Sequence, residues 1–282
     1  MVTPLGFPGK PHYLSGMEPC HLTDRAVISL SGPEARDFLQ NLVTNDVEKL
    51  TPGHGLYAAL LSPQGKIGFD FLLVEGDGAI LLDVAAPARD ALLKKLKLYR
   101  LRAKVEIEAR DDHGVYASLA GDAVRRAVSF VDPRHAMLPA RSIGAVGEMP
   151  ANLPGPAAYH ALRLELGVPE GGDFGFEKIF ALDGGMDELH AVSFEKGCYV
   201  GQELTARMKH RATSRKRPLA VTSQQDLPAP GTALTQDSDI GEIIAAHGGR
   251  GFASVRLDKW NAAQDAQAGG VAVTLTKPDW LG

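Results

Sequence analysis

The stretch from Gly55 to Val74 constrains the fold of this chain most. Two apolar runs, Leu56 to Leu61 and Ile67 to Val74, flank Ser62-Pro63-Gln64-Gly65-Lys66. Short apolar runs bounded by turn residues read as buried strands, and this pair reads as a hairpin. Gly76-Asp77-Gly78 makes a second turn before a strand over Ala79 to Val84. A helix follows from about Pro87 to Leu101, with Leu92, Leu96 and Tyr99 on one face and Lys94, Lys95 and Lys97 elsewhere. Val105 to Ala109 and Val115 to Leu119 are two further strands across Asp112-His113-Gly114. Strands, a helix and more strands point to an α+β unit with the helix on one face of an antiparallel sheet.

On the N-terminal side, Ala26 to Leu30 is β-prone and Gly32-Pro33 opens a helix bearing Phe38, Leu39, Leu42 and Val43. Thr44-Asn45-Asp46 reads as a turn or new N-cap before a short helical piece stopped by Pro52. The first ten residues, rich in Gly and Pro, are expected to be a loose arm without the apolar core of a signal peptide. Beyond short β-like pieces between Ser129 and Ile143, Pro154-Gly155-Pro156 introduces a helix carrying Leu162, Leu164 and Leu166. The Gly-rich stretch from Gly171 to Gly185 reads as too polar and broken for a core element, hence a loop over a site or a plain surface loop. Past residue 215 come Leu219 to Thr222, Ile240 to Ala245, Phe252 to Leu257 and Val271 to Leu275, short strands between Gly and Pro turns. That pattern is a small all-β domain, barrel or sandwich.

The chain's 282 residues exceed the usual size of one domain, so two or three are expected. A net charge of -4 argues against a general nucleic-acid surface, and no apolar run approaches the ~20 residues that cross a bilayer. Neither nucleic acid nor membrane is an expected partner. Two distant cysteines make neither a disulfide framework nor a zinc site, and a reducing, cytoplasmic setting is the natural expectation. The chain has no Walker loop, no Gly-x-Gly-x-x-Gly after a strand, no Gly-x-Ser-x-Gly elbow and no His-Glu-x-x-His. Nine scattered histidines show no ligand spacing, and none is marked as a base for a cysteine nucleophile.

One of the two cysteines stands in Lys196-Gly197-Cys198-Tyr199-Val200-Gly201-Gln202-Glu203. A helix is expected to follow from Gly201, with Val200, Leu204 and Met208 at four-residue spacing and Glu203 placed to meet Arg207. Cys198 would then precede a helix N-terminus, with Lys196 as a neighbouring cation; both features favour thiolate. The plainer alternative is a small buried hydrophobe. The basic cluster Lys209, His210, Arg211, Arg215, Lys216 and Arg217 is either a solvated face or an attractor of acidic groups.

The octapeptide resembles the signature of the folate-binding YgfZ family, relatives of the glycine-cleavage T-protein that assist assembly or repair of iron–sulfur clusters. The resemblance extends to Gly32-Pro33-Glu34-Ala35-Arg36-Asp37-Phe38-Leu39-Gln40, Leu42-Val43-Thr44-Asn45-Asp46, Leu56-Tyr57-Ala58-Ala59-Leu60-Leu61, Gly65-Lys66-Ile67 with Asp70, and Arg163 to Pro169. It implies an α+β protein of three domains in a ring around a central opening, ending in a small β-barrel. The implied parts are a discontinuous folate-binding domain (1–52 plus 121–210), an inserted ferredoxin-like domain (53–120) and the barrel (211–282). Tetrahydrofolate is the implied cofactor, contacted by carboxylates that match Asp70 and Glu165. Tyr199, Gln202, Glu203 and Arg207 are expected to complete the pocket, with Cys198 and Lys196 as the reactive pair. Iron–sulfur assembly or client proteins are the implied partners. Two other readings stay open, a tetrahydrofolate-dependent aminomethyl- or methyltransferase and a non-enzymatic scaffold.

Overall fold

The computed structural model describes residues 19–118, 127–150, 152–211 and 215–282; the arm expected over residues 1–10 lies outside them. The first half builds two antiparallel sheets. Strands β1 (Cys20–His21) and β2 (Arg25–Ser31) precede helix α1 (Ala35–Gln40). Then come β3 (Leu56–Leu61), β4 (Ile67–Gly76), β5 (Ala79–Ala85), α2 (Arg89–Arg100), β6 (Glu106–Ala109) and β7 (His113–Ser118). After these follow β8 (Val128–Phe130), β9 (Ala140–Ala145), α3 (Ala157–Glu165) and α4 (Gln202–Arg211). The larger sheet has the order β3-β4-β5-β2-β6 and the smaller β1-β7-β9-β8.

The strand β3 shows why its sequence lacks alternation. Ala58 and Leu60 face a core shared with Phe38, Leu39, Leu92 and Leu96 of α1 and α2, while Tyr57, Ala59 and Leu61 face a second core with Val115, Phe130 and Ile143. Helices cover one face of the larger sheet and the smaller sheet covers the other, so both faces are apolar. At one end the layer between the sheets turns polar. Asp70 of β4 and Asp83 of β5 lie on that inner face, with Arg25 of β2 and Arg141 of β9, all buried.

Strand pairing runs across the limits expected from the sequence. Arg25–Ser31, assigned there to the first segment, pairs with both β5 and β6 of the segment expected as an insert. His113–Ser118, assigned to the insert, pairs with β9 and β1 in the smaller sheet. In both cases antiparallel neighbours lie far apart in the chain, a pairing that residue patterns do not encode.

The C-terminal strands are β10 (Lys216–Thr222), β11 (Ala233–Thr235), β12 (Asp239–His247), β13 (Arg250–Arg256), β14 (Ala266–Ala268) and β15 (Val271–Thr276). They close into a barrel in the order β10-β13-β12-β11-β14-β15, which leaves no free edge. Leu219, Val221, Leu234, Ile243, Ala253 and Val255 fill it. The barrel is fastened to the rest of the chain through its last residues. Trp280 Nε1 donates to Leu166 O at 3.2 Å, and Pro278 lies where a side chain on Gly167 would stand.

The stretch from Gly171 to Gly185 corrects the loop expectation. Asp173, Phe174, Ala181 and Leu182 are buried, and Phe174 and Ala181 belong to the inter-sheet core. Its backbone pairs with neighbours instead of water, as in Ile67 N–H to Ile179 O at 2.8 Å and Glu177 N–H to Ile67 O at 2.9 Å. Composition suggested a loop over a site or a plain surface loop; these partners let an irregular segment enter the core, and its residues Gly171, Gly172, Phe174, Gly175 and Phe176 wall a cavity.

Candidate functional site

The cysteine loop is built from the chain's first half. Thr44 Oγ1 donates to Ala191 O at 2.6 Å, Thr44 O accepts Ser193 N–H at 3.0 Å, and Asn45 Nδ2 donates to His190 O at 2.7 Å. Thr44 and Asn45 thus hold residues 190–193 against the sheet. Lys196 completes the attachment. Its buried ammonium donates to Gln40 O, Val43 O and Asn45 O at 2.5, 2.6 and 3.0 Å. All three N–H groups are thereby used, which corrects the expectation that Lys196 serves the thiolate. Burial draws its pKa down to about 8.

Gly201 stands where the chain turns into α4, with φ +81°. A Cβ there would lie 2.6 Å from Ser62 O and 3.1 Å from Gly65 Cα. The motif's second glycine therefore seats α4 directly on the β3–β4 hairpin. Cys198, four residues before the first residue of the helix, is exposed, whereas Cys20 is buried with its pKa pushed up by burial. Tyr199 is buried in the inter-sheet core, and burial raises its pKa to about 12. Gln202 Nε2 reaches back to Gly197 O at 3.4 Å, and Glu203 meets Arg207 at 2.7 Å on the exposed face of α4. The basic cluster is partly neutralised, with Lys209 on Asp187 at 3.0 Å and Arg217 on Glu188 at 3.1 Å.

Asp70 lies elsewhere, at a cleft. Tyr57 O–H donates to its Oδ2 at 3.0 Å, and Gly171 N–H is shared between its two oxygens at 3.0 and 3.1 Å. Burial raises its pKa, with Arg25 and the Gly171 N–H opposing. A cavity of about 280 Å³ opens beside it, walled by Phe69, Phe174, Phe176 and Pro87. Across Gly171 and Gly172 lies a second cavity of about 490 Å³, between the body and barrel strand β12. On its walls Asp24 meets His160 at 2.8 Å, Arg163 donates to His160 at 2.8 Å, and His247 of the barrel meets Asp173 at 2.7 Å. None of Cys198, Lys196, Tyr199, Gln202, Glu203 and Arg207 lines either cavity.

The second expected carboxylate is corrected. Glu165, at the end of α3, is exposed and outside both cavities. The buried carboxylate of this region is Glu170. It accepts from Arg134 Nη1 at 2.7 Å, Tyr159 O–H at 2.7 Å and Arg141 Nη2 at 3.1 Å. Arg163 Nε stands 3.5 Å from its other oxygen. Burial alone would raise its pKa, but Arg134, Arg141, Arg25 and Arg163 outweigh burial and hold it well below the carboxylate range. Arg25 and Arg141 also pair with Asp83, Arg134 and Arg141 with Asp132, and Arg163 with Asp173. Glu-Gly-Gly-Asp carried a signal that the sequence reading passed over. Glu170 and Asp173 form a reciprocal cap on the short turn Gly171–Phe174, the pattern of a capping box.

Residues 20–139 match the family described as the GCVT N-terminal domain, and residues 215–282 match the C-terminal β-barrel domain of CAF17. The crystal structure of glycine cleavage system aminomethyltransferase T from Bartonella henselae superposes with a TM-score of 0.74 over 93% of this chain and 85% of that one. At 16% identity that likeness is one of fold, a GCVT-like fold with a closed six-stranded C-terminal barrel. The human iron–sulfur cluster assembly factor IBA57, mitochondrial, is 32% identical over 92% of this chain and 84% of its own length. The chain belongs to the IBA57 family. A Coccidioides immitis IBA57 homologue is 30% identical over 92% of this chain and 82% of its own length. Both IBA57 relatives are named as mitochondrial proteins, and this overturns the cytoplasmic expectation. No helix among the described residues is long and apolar enough to cross a membrane.

Proposed function

We propose that this chain acts in the assembly of iron–sulfur clusters, with Cys198 as the thiol that meets the cluster. The observation that carries the reading is the exposure of Cys198 in a loop clamped by Lys196 and seated by Gly201, in a family whose named members are assembly factors. A thiolate is the ligand such clusters take, and they commonly take four. One cysteine therefore shares the cluster with thiolates of an assembly or client protein, and the cluster is cargo in transit. An exposed thiol on a fixed shoulder suits that exchange, because a partner can approach it without unfolding the loop.

The tetrahydrofolate half of the proposal rests on Asp70. Its oxygens accept only Tyr57 O–H and Gly171 N–H, which leaves acceptor capacity toward a cavity with aromatic walls. The amino and ring N–H donors of a pterin fit that acceptor. Glu165 does not contribute, and Glu170 is already bound by its guanidiniums. Bound folate would supply a one-carbon acceptor; the chain's part is to orient the ring through Asp70 and to keep water out with Phe69, Phe174 and Phe176.

Cys198→Ser tests the first half. Cluster transfer to an apo client, followed by the client's visible absorbance, should fall to the uncatalysed level while the variant's circular dichroism stays unchanged. Undiminished transfer by the variant would refute the thiol's role. Calorimetry with tetrahydrofolate on wild type and Asp70→Asn tests the second half separately, and a wild type that releases no heat removes folate from the reading.

A further inference from the structure

The C-terminal end of α2 carries an arrangement that neither the cysteine loop nor the cleft uses. Leu98 and Leu101 are 73% and 86% exposed. Around them stand Lys94, Lys97, Arg100, Arg102 and Lys104, which make no ion pair among the described residues, on a chain of net charge -4. The helix dipole accounts for cations in the last turn, Lys97 and Arg100. It accounts for none of the others, and not for the leucines.

Leu101 is costly where it is. Ala103 N–H donates to Arg100 O at 2.8 Å, closing a turn whose first corner is Leu101 at φ +46°, ψ -104°. That corner, of the II′ type, is the place of glycine. A leucine there strains the backbone, and its exposure returns no burial energy. Strain kept without stabilising return is a mark of a functional position.

Leu101 is also the lip of a groove of about 270 Å³ between α1 and α2, floored by Phe38, Leu42 and Tyr99. The two rims have opposite sign. Glu34 and Asp37 stand on the α1 side, where the Glu34 carboxylate also accepts Lys104 N–H at 3.0 Å, and Arg100 stands on the α2 side, with Lys97 and Arg102 near it in the chain. An anionic bilayer surface or a nucleic acid would be repelled by Glu34 and Asp37, and a nucleic acid gives the leucines nothing to contact. A protein segment can match both rims. We propose that this groove docks an amphipathic helix of a partner protein, with an apolar side chain set between Leu101, Tyr99 and Phe38 and acidic residues facing Arg100 and its chain neighbours Lys97 and Arg102. The inference stands independently of the cluster-transfer reading.

A displayed library of random 16-residue helical peptides, selected on the intact protein, reads the chemistry directly. The enriched peptides should carry an apolar pair at i, i+4 with acidic residues along the side that meets Arg100. Synthesised with a fluorophore, they should bind wild type at least tenfold more tightly than Leu98→Ser/Leu101→Gly and than Lys97→Glu/Arg100→Glu. Leu101→Gly alone should melt a few degrees higher than wild type while losing peptide affinity, an outcome a purely structural leucine cannot give. Enrichment without acidic bias, binding that survives both double variants, or a lower melting temperature for Leu101→Gly would each overturn the proposal.

Discussion

Replacing Glu170 by Gln tests the polar layer between the sheets. The ion-paired set there holds four guanidiniums, of Arg25, Arg134, Arg141 and Arg163, against four carboxylates, of Asp83, Asp132, Glu170 and Asp173. Glu170 is the carboxylate that reaches three of the four cations, and its side chain is 4% exposed. Removing its charge at constant shape leaves four cations facing three anions, one buried positive charge without a counterpart. Breaking a buried pair from one side costs about 3–5 kcal/mol. That is a large share of a total of roughly 5–15 kcal/mol. For a chain of this size the cost appears as a melting temperature roughly 6–20 °C lower, read by circular dichroism. Glu165→Gln is the control, since an exposed substitution should stay within about 0.5 kcal/mol. The pH dependence adds a signature. A carboxylate held below its free value of 4.5 contributes stability at pH above that value and loses it as pH falls through the folded pKa. Wild type and Glu170→Gln should therefore converge on acidification. A Glu170→Gln loss under about 1 kcal/mol, or an equal loss from Glu165→Gln, would sink the reasoning.

The exposures of the two cysteines predict that native protein takes up one equivalent of iodoacetamide and Cys198→Ser none, by mass spectrometry; two equivalents on folded wild type would contradict the burial of Cys20. Gly201→Ala should destabilise by about 1–3 kcal/mol in urea unfolding, because the new Cβ meets Ser62 O in a left-handed conformation; a neutral result would mean the hairpin gives way. Burial, with Asp187 beside it, pushes the pKa of Glu188 up to about 7 from 4.5. The folded state thus holds a proton that the unfolded state has lost, and this contribution declines as pH rises from about 4.5 to about 7. Relative to wild type, Glu188→Gln should therefore gain in melting temperature between pH 5 and pH 8; a constant difference would refute the shared proton.

How much of this was legible in the sequence depends on the range of the forces involved. The β3–β4 hairpin, α2 and most barrel strands were readable because apolar runs and turn residues are local. Strands β11 and β14, of three residues each, were missed because their pairing partners give them their form. Asp70 was located through its motif. Glu170 was not, since four guanidiniums brought from β2, the β8–β9 connection, β9 and α3 make it what it is. Lys196 shows the converse. Its charge and spacing suggested a partner for Cys198, but three carbonyls from residues 40–45 claim it.

The polar layer also bears on how the molecule opens. The four guanidiniums and their carboxylates come from both sheets, the β8–β9 connection, α3 and the Glu170–Asp173 cap, so separating the sheets breaks into all these pairs together. At the inner part of the layer, where Arg141, Asp83 and Asp132 are buried and line neither cavity, water cannot replace the contacts one at a time. The barrier to opening is then set by a collective rehydration, and it is tall even if the net stability is ordinary. Amide exchange in β5 and β9 should accordingly be among the slowest in the chain, and the time the body persists under stress should outlast what its equilibrium stability alone suggests.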